Sequence, residues 1–262
     1  MKIREKELNN IINDKKSGSL DILLRLKKHL MKVCSDEAYM KYVIEVSENK
    51  LNHFPAVQNF LKDLKKVFKN FNQKELKKYL KKSVDEQGNS IQNLFERNKK
   101  LLMKNRVITT ISFSKTLLEI FKLLYKENPE LKVFITESRP NNEGKLLAKK
   151  LIKEEVNSHL IVDAMMNYAV QKSDCIIIGA DQILKNGNVV NKTGSYPLAL
   201  CAKANKKPFY VIATKDKITN KNKYFPTEYS SDEIWEYKNS KLQITNYYFE
   251  EIPKNLITKI LI

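Results

Sequence analysis

Hydrophobic positions in the first part of the chain recur every three or four residues, as they do on the buried face of an α-helix. The clearest stripe carries Ile22, Leu23, Leu26 and Leu30 behind Ser19-Leu20-Asp21, which is predicted to cap a helix. Similar stripes predict three more helices, over 36–51, from Pro55 onward and over 84–104. Residues 1–104 are therefore predicted to form a helical domain.

The period changes near Asn105, where short β-branched or apolar runs begin to alternate with helical stripes. Runs of this kind are typical of strands that are buried on both faces. Their alternation with helices implies right-handed crossovers and a parallel sheet, so the fold class is α/β with a second domain over 105–262. The predicted strands are 106–111, 133–135, 160–162, 175–178 and 208–213. Thr116 and Glu119 are spaced as a capping box for the helix that follows the first strand.

Polar side chains follow these strands at the points where each one ends. They are Ser112 and Ser114, Glu137 and Arg139, Asp163, and Asp181, and the segment after Asp181 contains Asn191 and Lys192. The carboxyl ends of parallel strands lie along one edge of the sheet, where ligands bind in open α/β folds. Hydroxyl-bearing turns at helix N-termini suit phosphate, and Arg139 and Lys192 add positive charge. The pattern predicts a phosphate-binding crevice at this edge.

The formal charge of +18 is concentrated in the helical part, where 24 Lys and Arg stand against 13 Asp and Glu in residues 1–104. Such a field attracts nucleic acid or acidic proteins. The excess is nearly all lysine, however, with no interleaved aromatic residues and no nucleic-acid motif. Solvated helix faces are therefore the favoured interpretation, and tRNA or a translation factor stays open as a partner.

Several function classes are disfavoured by composition. No apolar run approaches 18 residues, and the first ten residues lack the apolar core of a signal peptide, so neither a membrane nor secretion is expected. Three cysteines are an odd number without metal-type spacing, which favours a reduced, cytoplasmic protein. No metal site and no cofactor is expected. His29, His53 and His159 lie in apolar patterns and are interpreted as structural.

Five short motifs, taken in order, carry a family resemblance. They are Glu137-Ser138-Arg139-Pro140, Glu143-Gly144, Gly179-Ala180-Asp181-Gln182-Ile183, Asn186-Gly187 and Asn191-Lys192-Thr193-Gly194. The chain over about 107–258 resembles the translation initiation factor 2B alpha/beta/delta family, which also contains the methylthioribose-1-phosphate and ribose-1,5-bisphosphate isomerases. The resemblance implies an N-terminal helical domain, a C-terminal Rossmann-like domain and assembly into homo-oligomers or with related subunits.

The same resemblance implies a catalytic aspartate at Asp181. Isomerases of the family place a cysteine after the strand that corresponds to 106–111, and here that position holds Ser112. Their N-terminal Arg-Gly pair is matched only by Ser17-Gly18. Ser112-Phe113-Ser114 instead resembles the Ser-Tyr-Ser of the regulatory subunits.

These observations favour a protein that binds a phosphorylated sugar or nucleotide in a regulatory role. In this hypothesis phosphate is held by Ser112, Ser114, Arg139 and Lys192, and sugar hydroxyls by Asp181 and Asn191, with Glu137 a further ligand group or a partner of Arg139. Two alternatives stay open. One is an aldose-ketose sugar-phosphate isomerase that uses Asp181 with another acid, and the other is an interaction subunit of a translation-factor-like assembly.

Overall fold

Helices make up the first part of the chain in the computed structural model, which describes residues 2–14, 17–52, 54–69 and 71–262. The helices are α1 (Lys2–Ile12), α2 (Ser19–Val33), α3 (Glu37–Lys50), α4 (Pro55–Phe68) and α5 (Gln73–Leu102). The stripe predicted on α2 is buried, with Ile22, Leu26 and Leu30 fully enclosed. Ser19 is the first residue of α2 rather than its cap, because the capping position is Gly18.

The last helix of this part is longer than the sequence pattern predicted. The helix expected over 84–104 begins at Gln73, since Asn72 caps it by accepting hydrogen bonds from the amides of Lys74 and Glu75. Leu76 and Leu80 continue its buried stripe toward the N-terminus. Nothing lies within 4 Å of where a Cβ on Gly88 would stand, so this glycine sits on an open face and does not interrupt the helix.

The second part of the chain forms a six-stranded, all-parallel sheet in the order β3-β2-β1-β4-β7-β9. Its strands are β1 (Val107–Thr110), β2 (Lys132–Thr136), β3 (Asn157–Ile161), β4 (Cys175–Ile178), β7 (Phe209–Ile212) and β9 (Lys259–Leu261). The α/β class is thus confirmed. The strand expected over 160–162 begins earlier, at Asn157, because β3 is an edge strand whose side chains are largely exposed and lack an apolar signal.

A smaller antiparallel sheet, β5-β6-β8, lies beside the carboxyl edge of the large one. It consists of β5 (Gln182–Ile183), β6 (Val189–Lys192) and β8 (Phe249–Ile252). The helices of this part are α6 (Lys115–Glu127), α7 (Glu143–Lys153), α8 (Met166–Lys172) and α9 (Ser195–Ala204). Ser114, not the predicted Thr116, is the N-cap of α6, and its Oγ accepts from the amide of Leu117.

The apolar core is divided between the two parts, with α5 joining them. Residues of α1–α4 and the start of α5 form one cluster, whereas Ile91, Leu94, Phe95 and Leu102 pack with the sheet and α6. The domain boundary predicted at residue 104 stays a prediction, and α5 ends at Leu102 just before β1. None of the described helices is long and apolar enough to cross a membrane.

Candidate functional site

The candidate site lies where the order of the large sheet reverses. From β1 the chain proceeds outward through β2 and β3, and from β4 it proceeds through β7 and β9 on the other side. The segments after β1 and β4, Ser112–Ser114 and Gly179–Asp181, therefore meet at a topological switch point, where open α/β sheets bind ligands. Gly179 permits a close approach, because a Cβ there would stand 3.1 Å from Ser114 Oγ.

Asp181 is the common wall of three adjoining cavities. The narrowest, about 40 Å³, also contains Ser112, Ser114, Asn191 and Lys217. A second, about 250 Å³, adds Lys192, Glu143 and the aromatic rings of Phe113, Tyr229 and Tyr248. A third, about 310 Å³, opens between Tyr224, Phe225, Tyr229 and Phe249. Most of the predicted site residues, namely Ser112, Ser114, Asp181, Asn191 and Lys192, are thus brought together.

Lys192 is a buried cation at this site, only 3% exposed. Its Nζ donates to Glu143 Oε1 at 2.8 Å and lies 4.8 Å from the centroid of the Tyr248 ring. Glu143 is placed by the start of α7, where Gly144 approaches so closely that a Cβ would stand 1.8 Å from the carbonyl oxygen of Thr136. The Glu143-Gly144 motif therefore positions the carboxylate that holds Lys192.

A second buried lysine, Lys217, was missed by sequence reasoning. It lies in a 3₁₀ turn, Lys215–Lys217, at the carboxyl end of β7, is 6% exposed and hydrogen-bonds to Ser19 Oγ at the start of α2. The rule that flagged the other strand ends also applies after the predicted strand 208–213. The position of Lys217 soon after a predicted strand was therefore a signal for a site residue, although Lys217 belongs to no recognised motif.

Burial raises the pKa of the Asp181 carboxyl above its ordinary value, against the opposing charges of Lys217 and Lys192. Glu143 raises this pKa further by like-charge repulsion. Asp181 is thus placed between two cations in a poorly hydrated corner. A carboxyl group in this setting can accept hydrogen bonds from hydroxyls or exchange a proton.

Ser112 is held in a left-handed backbone conformation, with φ of 64°. Its amide donates to Ser138 Oγ at 2.7 Å, and Ser138 has the same φ. Asp163 fixes Ser138 in turn, since its carboxylate accepts from the amides of Ser138 and Arg139 at 2.9 and 2.8 Å. Asp163 therefore positions Ser112 indirectly, by holding the backbone that follows β2.

Glu137 and Arg139 are not among the described residues that line the three cavities. Glu137 pairs with Lys145 at 3.3 Å rather than with Arg139. Arg139 is exposed, and its guanidinium donates to the carbonyl oxygen of Ile234 at 3.3 Å. Both residues thus flank the site, and the contact with Ile234 links Arg139 to the long segment 224–248.

Asn191 is 7% exposed and donates to Ser195 Oγ at 2.9 Å. The N-terminus of α9, directly after this motif, is occupied by Glu250, whose Oε1 accepts from the amides of Gly194 and Tyr196 at 2.7 Å. Gly194 adopts a φ of 104°, which glycine tolerates best. A phosphate at this helix terminus would meet a carboxylate, so the N-terminus of α6 beside Ser114 is the more suitable anion site.

Aromatic side chains from an irregular segment complete the wall. The rings of Tyr229 and Tyr248 stack with centroids 3.7 Å apart and an interplanar angle of 6°. Tyr248 also hydrogen-bonds to Glu233, and burial is the main cause that raises its pKa. Sequence reasoning left this stretch unassigned, because it carries neither a helix nor a strand period.

The predicted structural histidines lie apart from this site where they are described. His29 is fully buried beside Glu7, and the ring of His159 stacks on Phe134 with centroids 4.7 Å apart. His53 lies outside the described residues. Within the described ranges, no group of three His, Cys, Asp or Glu residues is placed to hold a metal ion.

Comparison with known proteins connects this geometry to one family. The model of the Initiation factor 2 subunit family matches residues 21–262. The ribose 1,5-bisphosphate isomerase of Methanocaldococcus jannaschii is 29% identical over 248 residues, which are 90% of this chain and 80% of that protein. A putative translation initiation factor eIF-2B subunit 2-like protein of Pyrococcus horikoshii is 37% identical over 150 residues, 56% of this chain and 52% of the relative, about half its length.

A solved structure has the same fold. The translation initiation factor eIF-2B of Pyrococcus horikoshii OT3 superposes with a TM-score of 0.83 at 23% identity, and the match covers 98% of this chain and 94% of that one. Since the family model spans nearly the whole sequence, and the fold places the motif residues around one switch point, the chain belongs to the Initiation factor 2 subunit family.

Proposed function

We propose that this chain binds a phosphorylated sugar or nucleotide at Asp181 and acts as a regulatory member of its family. The observation that carries the proposal is the convergence of two buried lysines, Lys192 and Lys217, on one partly buried aspartate. Lys192 is already paired with Glu143, whereas the hydrogen bond of buried Lys217 goes to a neutral hydroxyl, Ser19 Oγ. A buried cation is costly unless an anion offsets its charge, so Lys217 is the group that favours an anionic ligand. One relative is named a ribose 1,5-bisphosphate isomerase, and the substrate in that name is a ligand of this kind.

The phosphate occupies the narrow cavity in this proposal. Lys217 supplies the charge, the hydroxyls of Ser112 and Ser114 donate hydrogen bonds, and the amides at the start of α6 point toward the same space. The sugar extends into the 250 Å³ cavity. There Asp181 accepts from its hydroxyls, while Asn191 and Lys192 bind it from the side of β6.

Arg139 and Glu137 take a different role from the one the sequence suggested. Since neither lines the cavities, we assign to Arg139 the anchoring of segment 224–248, through Ile234, over the site. Glu137 is paired with Lys145 and supports the start of α7. Tyr229 and Tyr248 then offer an apolar face to the sugar ring or to a base.

Binding without turnover is favoured because no cysteine occurs among the described residues that line the three cavities. Cys175 is fully buried in β4, and desolvation raises its thiol pKa, which leaves it unreactive. The hydroxyl of Ser112 stands where isomerases of the family have a thiol, and a hydroxyl is a much weaker acid. Asp181 therefore lacks the partner that aldose-ketose conversion needs.

An active isomerase remains the second candidate, favoured by the 29% identity to a ribose 1,5-bisphosphate isomerase over 90% of this chain. In that case Asp181, whose pKa is raised, carries the proton from C2 to C1, and a second acid in place of the cysteine exchanges the oxygen-bound proton. An assay of aldose-to-ketose conversion with ribose 1,5-bisphosphate separates the two candidates. Activity that Asp181→Asn abolishes would establish the isomerase, whereas activity that survives the substitution would contradict this mechanism.

Thermal unfolding with ribose 5-phosphate, ribose 1,5-bisphosphate and AMP tests the binding proposal. A ligand at 100 times its dissociation constant stabilises the fold by about 2.7 kcal/mol. Lys217→Met should remove this effect, and Lys203→Met is the matched control, because Lys203 is exposed on α9 and is not among the described residues that line these cavities. If none of the three compounds stabilises the protein, or if both variants respond like the unaltered chain, the proposal fails.

Assembly with a second copy or a related subunit is a further part of the proposal. Around the edge strand β3 and α8, four large apolar side chains are exposed, namely Leu160, Val162, Met165 and Tyr168. Exposed apolar side chains grouped in this way are typical of subunit interfaces. Light scattering should show that Leu160→Glu shifts the protein toward monomer, while Phe225→Glu, exposed elsewhere, leaves the mass unchanged. A monomeric unaltered chain would contradict this part.

A further inference from the structure

A larger cavity, about 740 Å³, lies between the helical part and the sheet, apart from the three cavities at Asp181. Its walls come from α2, α4, the length of α5 and the chain that follows β7. Small-molecule sites generally occupy clefts of roughly 300–1,000 Å³, often between domains. The size and position of this interdomain cleft are those of a ligand site.

The charges that line the interdomain cleft cancel. Three cations, Lys27, Arg97 and Lys215, stand with three carboxylates, Asp63, Glu86 and Asp216. This balance contrasts with a chain that carries +18 overall. Between the charged groups lie uncharged amides and hydroxyls, among them Asn59, Asn89, Asn93 and Ser90. A lining with many donors and acceptors but no net charge favours an uncharged ligand that carries several hydroxyl or amide groups.

Two aromatic rings and a buried ammonium group are part of the wall of the cleft. Phe60 and Tyr79 are nearly parallel, with an interplanar angle of 13° and centroids 6.3 Å apart. Lys27, 6% exposed, lies 5.1 Å from the centroid of Phe60 and donates to Ser83 O and Gln87 Oε1. Burial lowers the pKa of Lys27 to about 8, against the opposing charges of Asp216 and Glu86. A flat, uncharged ring system fits such a surface better than an anion does.

The interdomain cleft shares a wall with the proposed phosphate pocket. Leu20 and Ala213 line both cavities. In the turn Lys215–Lys217, Asp216 faces the cleft while the next residue, Lys217, lines the pocket of Asp181. Asn59 of α4 holds this turn, since its Nδ2 donates to the carbonyl oxygens of Asp216 and Ile218 at 3.1 and 3.4 Å. A molecule in the cleft therefore contacts the element that positions Lys217.

We propose that the interdomain cleft is a second binding site, that it takes an uncharged nucleoside, and that its occupancy changes ligand affinity at Asp181 through the turn Lys215–Lys217. The ribose hydroxyls bind the amides and carboxylates of the cleft, and the base packs against Tyr79, which is the more exposed of the two rings. Only the coupling to Asp181 rests on the proposed function. The binding of a nucleoside does not.

The binding half is tested on the full chain by calorimetric titration with adenosine and uridine. Asn93→Trp places a large side chain from an exposed position of α5 into the cleft, and Glu96→Trp is the matched control on the same helix outside it. Asn93→Trp should lower nucleoside affinity at least about tenfold, and Glu96→Trp should leave it within about twofold, with both variants melting like the parent. Absence of binding by either nucleoside, or equal affinities in the two variants, overturns the proposal.

The coupling half is tested by titrating ribose 5-phosphate with and without saturating adenosine. Coupling free energies between sites commonly correspond to about 5- to 150-fold changes in affinity, and we expect at least the lower figure here. Asn93→Trp should abolish the change that adenosine causes. An unchanged affinity overturns the coupling. Failure of ribose 5-phosphate, ribose 1,5-bisphosphate and AMP alike to bind at Asp181 would overturn the proposed function, and the coupling with it, while the nucleoside site, measured separately, stands.

Discussion

The helical region and the carboxyl edge of the sheet use lysine in opposite ways. On α4 and α5 the lysines project into solvent, and those with a partner pair with nearby carboxylates, as Lys66 does with Asp63. At the sheet edge Lys192 and Lys217 are buried, 3% and 6% exposed, around Asp181. Most of the net charge therefore lies on exposed faces, where it contributes little energy, whereas the two lysines of the proposed site are buried. The burial of a lysine, rather than the number of lysines in a region, therefore indicates which ones are candidates for binding a ligand.

The largest expected effect comes from breaking the buried pair at the sheet edge. Lys192→Met leaves Glu143 in a poorly hydrated place without its cation, which should lower the free energy of unfolding by about 3–5 kcal/mol. Lys78→Met, on the exposed face of α5, should change it by less than about 0.5 kcal/mol. Urea denaturation measures both. Adding Glu143→Gln to Lys192→Met should recover part of the loss, and equal costs for the two lysines would erase the comparison.

Lys27, the buried lysine of the helical region, gives a pH-dependent effect of somewhat smaller size. Its pKa is about 8 in the folded protein and near 10.5 when unfolded, so between these values the unfolded chain binds more protons and stability rises with pH. From pH 7 to pH 10.5 the unaltered protein should gain roughly 3 kcal/mol relative to Lys27→Met. Comparing the two proteins at each pH removes the titration of the other lysines. A difference that stays constant across this window would show that Lys27 is not desolvated.

The capping residues of two helices give a third comparison. Asn72 only caps its helix, whereas Ser114 caps its helix and also lines the narrow cavity at Asp181. Asn72→Ala at α5 and Ser114→Ala at α6 should each lower the free energy of unfolding by about 1 kcal/mol. Only Ser114→Ala should also weaken sugar-phosphate binding, because only Ser114 lines the cavity of Asp181. Titration of both variants with ribose 5-phosphate separates the roles. A binding loss in both would indicate a general effect of stability.

The smallest stability effect is expected on the basic faces of the helical region. Replacing Lys74, Lys77, Lys78 and Lys81 by Gln should leave the melting temperature nearly unchanged, since these side chains are exposed. If the faces are only solvated, the unaltered chain should show no retention on immobilised RNA even at low salt. If the unaltered chain is retained at low salt and the fourfold variant is not, the lysines form a surface that binds polyanions, which would favour the interaction-subunit alternative.

The sequence predicted the α/β class and brought Ser112, Ser114, Asp181, Asn191 and Lys192 to one place, because strand ends in a parallel sheet share an edge. The sequence prediction placed the start of α5 too late. Only Leu76 and Leu80 form the apolar stripe in its first turns, and the many lysines around them made that stripe hard to recognise. The edge strand β3 begins three residues before its predicted start, because Asn157, Ser158 and His159 carry no apolar pattern.

Other parts of the site could not be derived from local patterns. Tyr229 and Tyr248 meet only through tertiary contacts within an irregular segment. Pairing of Lys192 with Glu143 joins residues on different elements, and no spacing rule predicts it. Glu250 accepts hydrogen bonds at the N-terminus of α9 from far along the chain, and no local pattern around Gly194 predicts that contact.

The pairing of β6 with β8 has a consequence for the order of folding. Lys192 and its partner Phe249 stand 57 residues apart in the chain, and β8 must dock before the wall of the pocket exists. Contacts of such long range form late, after local helices and neighbouring strands. A sugar phosphate can then recognise only the finished structure. Its binding should slow unfolding while leaving the refolding rate unchanged, so the ligand would lengthen the lifetime of the native chain rather than hasten its formation.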